Sequence, residues 1–478
     1  MNSVETNIKK KKYEIDMTSG NLFSKIVKFC IPLMLMGILQ LLYNAADLII
    51  VSNFSDDQNA LGAVGSTSSL INLTVNLFMG LSVGTNVLCA SLYGSKSYDR
   101  VGRVVHTSIL ISFIIGLFLS VFGIIFASDL LHIMNNDLDL SRVYLQIYFI
   151  GMPFNLLYNF ASSILRAVGD TKRPLYYLTI AGIINVLLNI LFVISFDMSV
   201  AGVALGTIIS QAVSAILVMI TLIKTKESYG IKLNKLKIHK KELLEIAKVG
   251  LPAGIQSSIF SISNVLIQSS VNNFDKVAST IAGTTISTVK NGNSAATSVE
   301  GFVYAAMNSV YHAALAFTSQ NVGAKKSKNI KKVMVYSLIY VTIVAASLGA
   351  ILFIFGKQAL SIYTTNPDEI NVGYIRLHYL CLPYFLCGIM DVMVGIIRGL
   401  GYGLTPMIVS IVGVCGFRIF WILFIFQNNT SFTDYNDLNL LYISYPISWI
   451  ITFTIHLITY FILSRKKYHE LSNKLVLN

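Results

Sequence analysis

Charged residues are scarce in this sequence. Asp, Glu, Lys and Arg make up 12% of its 478 residues, while hydrophobic residues make up 54%. Soluble globular chains carry about 25% charged residues, so this composition excludes a soluble globular protein. The apolar residues lie in runs of about 20 residues or more, which is the length a helix needs to cross a bilayer. Because open sheet edges cannot be satisfied in lipid, these runs predict helices.

Cysteine is also scarce, and two groups of catalytic motifs are missing. The five cysteines all lie inside apolar runs and at no metal-ligand spacing, which argues against a disulfide framework or a metal cluster. The sequence has no nucleotide-binding P-loop and no hydrolase nucleophile elbow. We therefore expect no cofactor, no bound ATP and no enzymatic activity, and we expect an ion gradient to drive any transport.

Twelve apolar runs, six in each half of the chain, predict an all-α polytopic membrane protein with twelve transmembrane helices. The runs cover residues 26–52, 61–93, 102–127, 140–168, 174–196, 199–223, 246–272, 293–321, 330–355, 370–400, 405–427 and 440–464. The predicted divisions are a cytoplasmic N-terminal segment without a core of its own, an N-lobe, a cytoplasmic linker, a C-lobe and a cytoplasmic tail. Their respective limits are 1–20, 21–223, 224–245, 246–464 and 465–478.

The net charge of +13 would suit a nucleic-acid-binding protein, but its distribution argues against one. Basic residues gather in alternate connections, for example between Lys224 and Lys248 and between Lys325 and Lys332, whereas the connections between them hold mostly acids. This alternation is the positive-inside pattern of membrane proteins. It places both termini in the cytoplasm and supports an even number of helices.

The second half of the sequence repeats the first. The segment 28–32 around Pro32 has its counterpart at 248–252 around Pro252, and Leu165-Arg166-Ala167-Val168-Gly169 has its counterpart at Ile397-Arg398-Gly399-Leu400-Gly401. An even number of helices in each half makes the repeats parallel, with a pseudo-two-fold axis along the membrane normal. Secondary transporters are commonly built in this way, with the substrate site between the repeats.

Several polar residues inside the predicted N-lobe helices share one helix face. Gln40, Tyr43 and Asp47 follow the spacing of such a face in helix 1. An unpaired acid inside a span is costly and is usually functional. Helices 5 and 6 add amide and hydroxyl groups, at Asn185, Asn189 and Thr207. These hard oxygen donors suit a small cation or a transferable proton, so we predict a cation-coupling site, with Na⁺ possible at Asp47.

The predicted C-lobe helices contain three further charged residues. Glu300 has no obvious partner, which favours a substrate-binding role. Asp391 either forms an ion pair with Arg418, at a similar depth, or binds substrate. By contrast, we expect Arg166 and Arg398, at the inner ends of helices 4 and 10, to extend to the membrane interface. The predicted substrate-binding set comprises Glu300, Asp391, Arg418, Asn159, Asn264 and Gln256.

The motifs Tyr43-Asn44-Ala45-Ala46-Asp47, Leu61-Gly62-Ala63-Val64-Gly65, Leu165 to Lys172 and Gln320-Asn321-Val322-Gly323-Ala324 resemble those of the MATE (multidrug and toxic compound extrusion) family. The resemblance implies that Asp47 is the ion-coupling residue. Gln40, Tyr43, Asn185 and Thr207 likewise fall at positions where related members carry the same residue types. Asn189 stands where several members carry a second aspartate, which leaves the choice between H⁺ and Na⁺ open.

These features together predict an antiporter of the inner or plasma membrane. It would export amphipathic, often cationic, organic compounds in exchange for H⁺ or Na⁺ by alternating access, surrounded by membrane lipids, with a monomer as the default expectation. One alternative is a flippase for lipid-linked oligosaccharides or peptidoglycan precursors. Such a flippase usually has more helices and a basic cavity for pyrophosphate, whereas Arg418 is the only deep base expected here. A membrane enzyme is a second alternative, disfavoured because no nucleophile–base set is present.

Overall fold

The computed structural model describes residues 13–54, 60–133, 139–282, 288–426 and 435–476, and in these ranges every regular element is helical. Nine of the described helices are long and apolar enough to cross a membrane, and a pair bent by 53° supplies a tenth span. The twelve predicted spans correspond to these ten together with α9 and the α4–α5 pair, defined below. The fold is an all-α bundle of two six-span lobes.

The N-lobe consists of seven helices. They are α1 (Leu22–Phe54), α2 (Ala60–Gly94), α3 (Tyr98–Ile133), α4 (Asp139–Ile150), α5 (Met152–Ala167), α6 (Lys172–Ile190) and α7 (Ser199–Lys224). Helices α4 and α5 form one span broken at Gly151, and α6 continues into a π-helical turn at Leu191–Ser195. Such turns are frequent near functional sites, and this one directly follows Asn189.

The C-lobe repeats this order with more interruptions. It contains α8 (Lys240–Ala282), α9 (Thr288–Gly323), α10 (Ser327–Leu360), α11 (Pro367–Cys381), α12 (Tyr384–Gly399), α13 (Leu404–Ser410), α14 (Phe417–Trp421), α15 (Asn439–Tyr442) and α16 (Ser444–Val476). Helices α11 and α12 are the bent pair that forms one span. Helix α9 contains many polar residues, which is possible because neighbouring helices bury most of its side chains.

The backbone of the two lobes shows the duplication directly. Lys96, after α2, and Lys325, after α9, both adopt left-handed conformations, with φ of 59° and 57°. Gly169, after α5, and Gly401, after α12, have φ of 93° and 98°. Left-handed residues commonly end helices, and glycine adopts this conformation at no steric cost. The predicted sequence repeat is therefore confirmed as a repeat of helix ends as well as of helices.

Two predicted boundaries differ from the helices observed. Helix α8 begins at Lys240, so the last part of the predicted linker 224–245 continues directly into the seventh span. Helix α16 extends to Val476 and includes most of the predicted tail. In both places a charged stretch without proline or glycine continues the helix of the adjoining span, which the change in composition alone did not indicate.

The described part of the predicted N-terminal segment, residues 13–20, packs against both lobes, and we call it the N-terminal strap. Met17 is fully buried in a hydrophobic cluster that consists mainly of C-lobe residues. The Glu14 carboxylate accepts hydrogen bonds from the hydroxyls of Tyr93 and Tyr229, at 2.7 and 2.9 Å, both in the first half of the chain.

The strap also binds the C-lobe. Asn321 donates to the Met17 carbonyl at 2.8 Å, and Lys326 and Asn329 donate to the Thr18 carbonyl, each at 2.8 Å. The strap therefore joins the two lobes at the end of the bundle that carries the basic connections, which we call the basic end. A direct bond between the lobes lies beside it, from the Gln320 amide to the Ala167 carbonyl, at 2.8 Å.

Small residues let the lobes approach closely in the half of the bundle nearest the basic end. A Cβ added at Gly80 of α2 would lie 2.0 Å from the backbone nitrogen of Gly254 of α8, and one at Gly84 would lie 2.2 Å from the Ile246 carbonyl oxygen. The repeat-related pair α1 and α9 meets at Gly37, where a Cβ would lie 2.9 Å from that of Ala305. We call these contacts at Gly37, Gly80, Gly84 and Gly254 the glycine seam, and they are possible only because glycine has no side chain.

We expect Gly80→Ala to hold the lobes apart at the basic end, because the added methyl group meets backbone atoms that cannot rotate away. The measurement is the distance between spin labels at positions 96 and 328, one on each lobe, and it should lengthen in the variant. Gly301→Ala is the control, because its Cβ would lie 3.6 Å from the Leu41 side chain, an ordinary contact. Equal distances in Gly80→Ala and wild type would contradict the packing argument.

Candidate functional site

A cavity of about 840 Å³ lies between the two lobes. Its walls come from α1, α2 and α4 to α7 on one side and from α8, α9 and α12 on the other. Apolar side chains alternate with amides, tyrosines and a few charged groups around it. A mostly apolar pocket with a few polar groups that fix orientation is the usual form of a site for small organic molecules.

Asp47 lies in the N-lobe wall of this cavity, and its neighbours are those that the sequence predicted. Its side chain is buried, with 8% exposure. Asn189 donates to one carboxylate oxygen at 2.5 Å, and the Thr207 hydroxyl donates to the other at 3.4 Å. Asn185 donates in turn to Thr207, also at 3.4 Å. The structure thus brings α1, α6 and α7 together at one carboxylate.

This cluster also contains acceptors without donors. The side-chain oxygens of Asn185 and Asn189 are buried and receive no hydrogen bond from the described residues. Among the described residues, Asp47 forms no ion pair either. Burying a carboxylate without a positive partner is costly, and unsatisfied oxygens beside it can be ligands for a small cation. The surroundings therefore suit an Asp47 carboxylate that is protonated part of the time or that binds a cation together with the neighbouring amide oxygens.

Gln40 and Tyr43, the other members of the predicted coupling set, line the same cavity. The Tyr43 ring packs on Gly182 of α6. Among the described residues, neither side chain hydrogen-bonds to Asp47. Sequence reasoning missed Tyr144 and Tyr148 of α4, whose hydroxyls lie within electrostatic range of Asp47. Their spacing of four residues, which puts both on one helix face, was the available signal.

Four members of the predicted substrate-binding set line the cavity: Asp391, Asn159, Asn264 and Gln256. The Asp391 carboxylate lies beside the Tyr304 hydroxyl and in the field of the Arg398 guanidinium. Asn159 donates to the Asn155 backbone carbonyl at 2.8 Å. These placements are compatible with the predicted substrate contacts, which stay predictions.

Arg166 and Arg398 do not extend to the membrane interface, so that expectation is wrong. Both line the cavity. Arg398 is only 5% exposed and donates to the Tyr311 hydroxyl at 2.7 Å and to the side-chain amide oxygen of Gln256 at 2.8 Å. Each arginine occupies the last turn of its helix, α5 or α12, and the bundle closes around these helix ends. A position near a helix end therefore did not mean contact with the membrane surface.

Glu300 has a partner, contrary to the expectation from sequence. The guanidinium of Arg376 in α11 donates to both of its carboxylate oxygens, each at 2.8 Å. Arg376 also donates to Asn293 at 2.7 Å, and both members of the pair are buried. The described residues that line the cavity do not include Glu300. The pair lies inside the C-lobe and joins α9 to α11.

Arg418 does not form the ion pair with Asp391 that was one of the two predicted alternatives. Among the described residues it donates to the Ser448 hydroxyl at 3.0 Å and lies over the Tyr445 ring, 4.0 Å from the ring centroid, with Trp449 at 5.7 Å. It is absent from the described cavity lining. An aromatic face can stabilise a desolvated guanidinium, which explains a buried arginine without an acidic partner.

Comparisons with known proteins agree with this arrangement. The sequence matches the MatE family over residues 32–191 and 252–423, one segment in each repeat. It is 28% identical to the probable multidrug resistance protein YoeA of Bacillus subtilis, covering 82% of this chain and 84% of that protein. It is 22% identical to the multidrug export protein MepA of Staphylococcus aureus, covering 81% and 84%.

Solved structures show the same fold. One is described as the outward-facing conformation of a multidrug resistance MATE family transporter, with a TM-score of 0.83 and 20% identity, covering 95% of this chain and 97% of that one. Another, a MATE protein in a straight conformation, gives a TM-score of 0.82 at 20% identity, covering 96% and 98%. At this identity the likeness concerns the fold alone.

Replacement of Glu300 by Gln is expected to destabilise the protein, because it leaves the Arg376 charge buried without its counter-ion. Breaking a buried pair costs about 3–5 kcal/mol, so thermal unfolding of the purified protein should shift to a clearly lower temperature. Glu470→Gln is the matched control, since its pair with Lys467 is partly exposed and surface pairs contribute about 0–1 kcal/mol. Wild-type unfolding of Glu300→Gln would refute a structural role for the pair.

Proposed function

The chain belongs to the MatE family of transporters, and we propose that it is a cation-coupled antiporter. In this proposal it exports amphipathic, often cationic, organic compounds in exchange for H⁺ or Na⁺ by alternating access. The observation that carries the proposal is the position of Asp47. A buried carboxylate without an ion pair in the described residues opens onto the same cavity that is large enough for an organic substrate.

The proposed substrate class follows from the cavity and from the relatives. Its lining combines apolar and aromatic side chains with many amides and hydroxyls, the two acids Asp47 and Asp391, and the two arginines Arg166 and Arg398. Such a surface can bind many amphipathic molecules without close shape matching. The relatives are named multidrug resistance and multidrug export proteins, which describes transport of the same breadth.

The proposed coupling uses the groups around Asp47. When a cation or proton binds there, it neutralises the carboxylate and competes with the Asn189 and Thr207 donors for the carboxylate oxygens. For Na⁺, the oxygens of Asn185, Asn189 and Thr207 could supply further ligands. For H⁺, the carboxylate alone is sufficient. The site therefore accommodates either ion, and transport measurements decide between them.

The proposed conformational cycle uses the contacts between the lobes. The glycine seam and the N-terminal strap close the basic end in this structure. A movement of one lobe against the other would have to open this seam while the site keeps its place in the middle of the bundle. The positive-inside pattern supports a cytoplasmic basic end, with both termini there and the protein in the plasma membrane.

Replacement of Asp47 by Asn tests the coupling. The variant keeps the size and shape of the side chain and one acceptor oxygen but loses its titratable charge. We therefore expect normal expression and loss of gradient-driven export. The measurement is efflux of a fluorescent cationic dye from vesicles under separately imposed Na⁺ and H⁺ gradients. Asp129→Asn, which removes an exposed acid at the end of α3, serves as the control. Wild-type efflux in Asp47→Asn, with loss in Asp391→Asn, would move the coupling to Asp391.

A further inference from the structure

We propose that Arg166 and Arg398 form a binding subsite for an anionic group at the basic end of the cavity. This inference rests on the proposed transport function, because it names a substrate class. The protein would then accept amphipathic compounds that carry a carboxylate or phosphate, alone or beside a cationic group. The two arginines are repeat-related, one from each lobe, so the subsite lies across the pseudo-two-fold axis.

Arg166 is the stronger indication, because its side chain has no partner. Among the described residues, no hydrogen bond or ion pair reaches its guanidinium, although its Nε atom is buried. The groups in its field include the hydroxyls of Tyr158 and Tyr311 and the ring of His312, which also lies in the field of Arg398. The residue as a whole is half-buried and lines the cavity, so its charge is available to a molecule bound there. A ligand that brings a negative charge would pair with it and would satisfy its buried Nε.

Arg398 extends the subsite from the opposite lobe. Two of its nitrogens are held by Tyr311 and Gln256, while its Nε has no acceptor among the described residues. Tyr311 is thus shared, since it receives a hydrogen bond from Arg398 and lies in the field of Arg166. The planar guanidinium presents its donors in a fixed fork that matches carboxylate and phosphate oxygens.

The charges near this end of the cavity do not balance. Asp391 is the carboxylate in the field of Arg398. No described acid reaches Arg166, and Glu300 is already held by Arg376 inside the C-lobe. One positive charge therefore remains in the cavity wall when Asp391 is ionised, and two when it is protonated. Asp47 lies in the last third of α1, and α1 begins at the basic end. The cavity therefore has an acidic region around Asp47 and a basic region around the two arginines.

The subsite is tested by equilibrium binding of one xanthene dye in two forms, rhodamine with a free carboxylate and the methyl ester of the same dye. Fluorescence polarisation with the purified protein in neutral detergent gives both affinities. Wild type should show a preference for the carboxylate over the ester. Arg166→Gln and Arg398→Gln should each lower that preference by about ten-fold, the loss expected for one charge-assisted hydrogen bond.

Arg103→Gln is the matched control, because it removes the same charge from a side chain that is 48% exposed at the basic end. It should keep the wild-type preference. If the glutamine variants do not fold, Arg166→Lys and Arg398→Lys replace them in the test. Lysine keeps the charge but lacks the forked donors of the guanidinium, so these variants should show a preference between those of wild type and of a variant without the charge. An unchanged preference in both arginine positions, or no preference in wild type, would overturn the proposal.

Nanodiscs of phosphatidylcholine with and without phosphatidylglycerol separate two sources of the anionic group. If phosphatidylglycerol weakens carboxylate binding in wild type but not in Arg166→Gln, a lipid headgroup occupies the subsite. If it has no effect, the subsite serves soluble compounds. Binding needs no gradient, so carboxylate preference without coupled export would refute the proposed function alone. Coupled export without the preference would refute this inference alone.

Discussion

A buried charge in a membrane protein must have a partner or reach a water-filled cavity, because lipid supplies neither. The charged side chains in the interior of this chain fall into two groups under this constraint. Glu300 and Arg376 bind one another, and Arg418 lies on an aromatic face inside the C-lobe. Asp47, Asp391 and the two repeat-related arginines line the central cavity instead. The first group stabilises a lobe, and the second is available to ions and substrates.

The interface between the lobes has a different physical basis. It combines close backbone contacts at glycines, amide hydrogen bonds and the N-terminal strap with ion pairs between Arg100 and α8. It also buries apolar side chains, because α1 packs against α9 with Phe29 edge-on to Phe317. Separating the lobes would therefore expose apolar side chains as well as backbone contacts, whereas the packing inside each lobe could stay intact. The alternating access proposed above requires such a movement of one lobe against the other.

The sequence was sufficient for the features that depend on local spacing. The twelve spans follow from hydropathy, and the repeat follows from paired segments such as 28–32 and 248–252. Helical spacing put Asn185 and Asn189 on one face, and the family resemblance supported their grouping with Thr207 around Asp47. Partners that are distant along the chain were not predictable, as with Arg376, which lies 76 residues from Glu300 and near the start of a predicted span. Arg166 and Arg398 were misplaced for the same reason. Because Arg166 and Arg398 line the cavity, a lack of deep bases no longer counts against a flippase, and membership of the MatE family favours the exporter.

Competition between the cation and the substrate through Asp47 is tested most directly by measuring linkage at equilibrium. The affinity of the purified protein for the ester form of the dye is measured over a range of Na⁺ concentrations at fixed pH, then over a range of pH at fixed Na⁺. Because linkage is reciprocal, antiport through Asp47 predicts that the affinity falls as one of the two cations rises, and that Asp47→Asn removes this dependence. An affinity independent of both cations in wild type would contradict it.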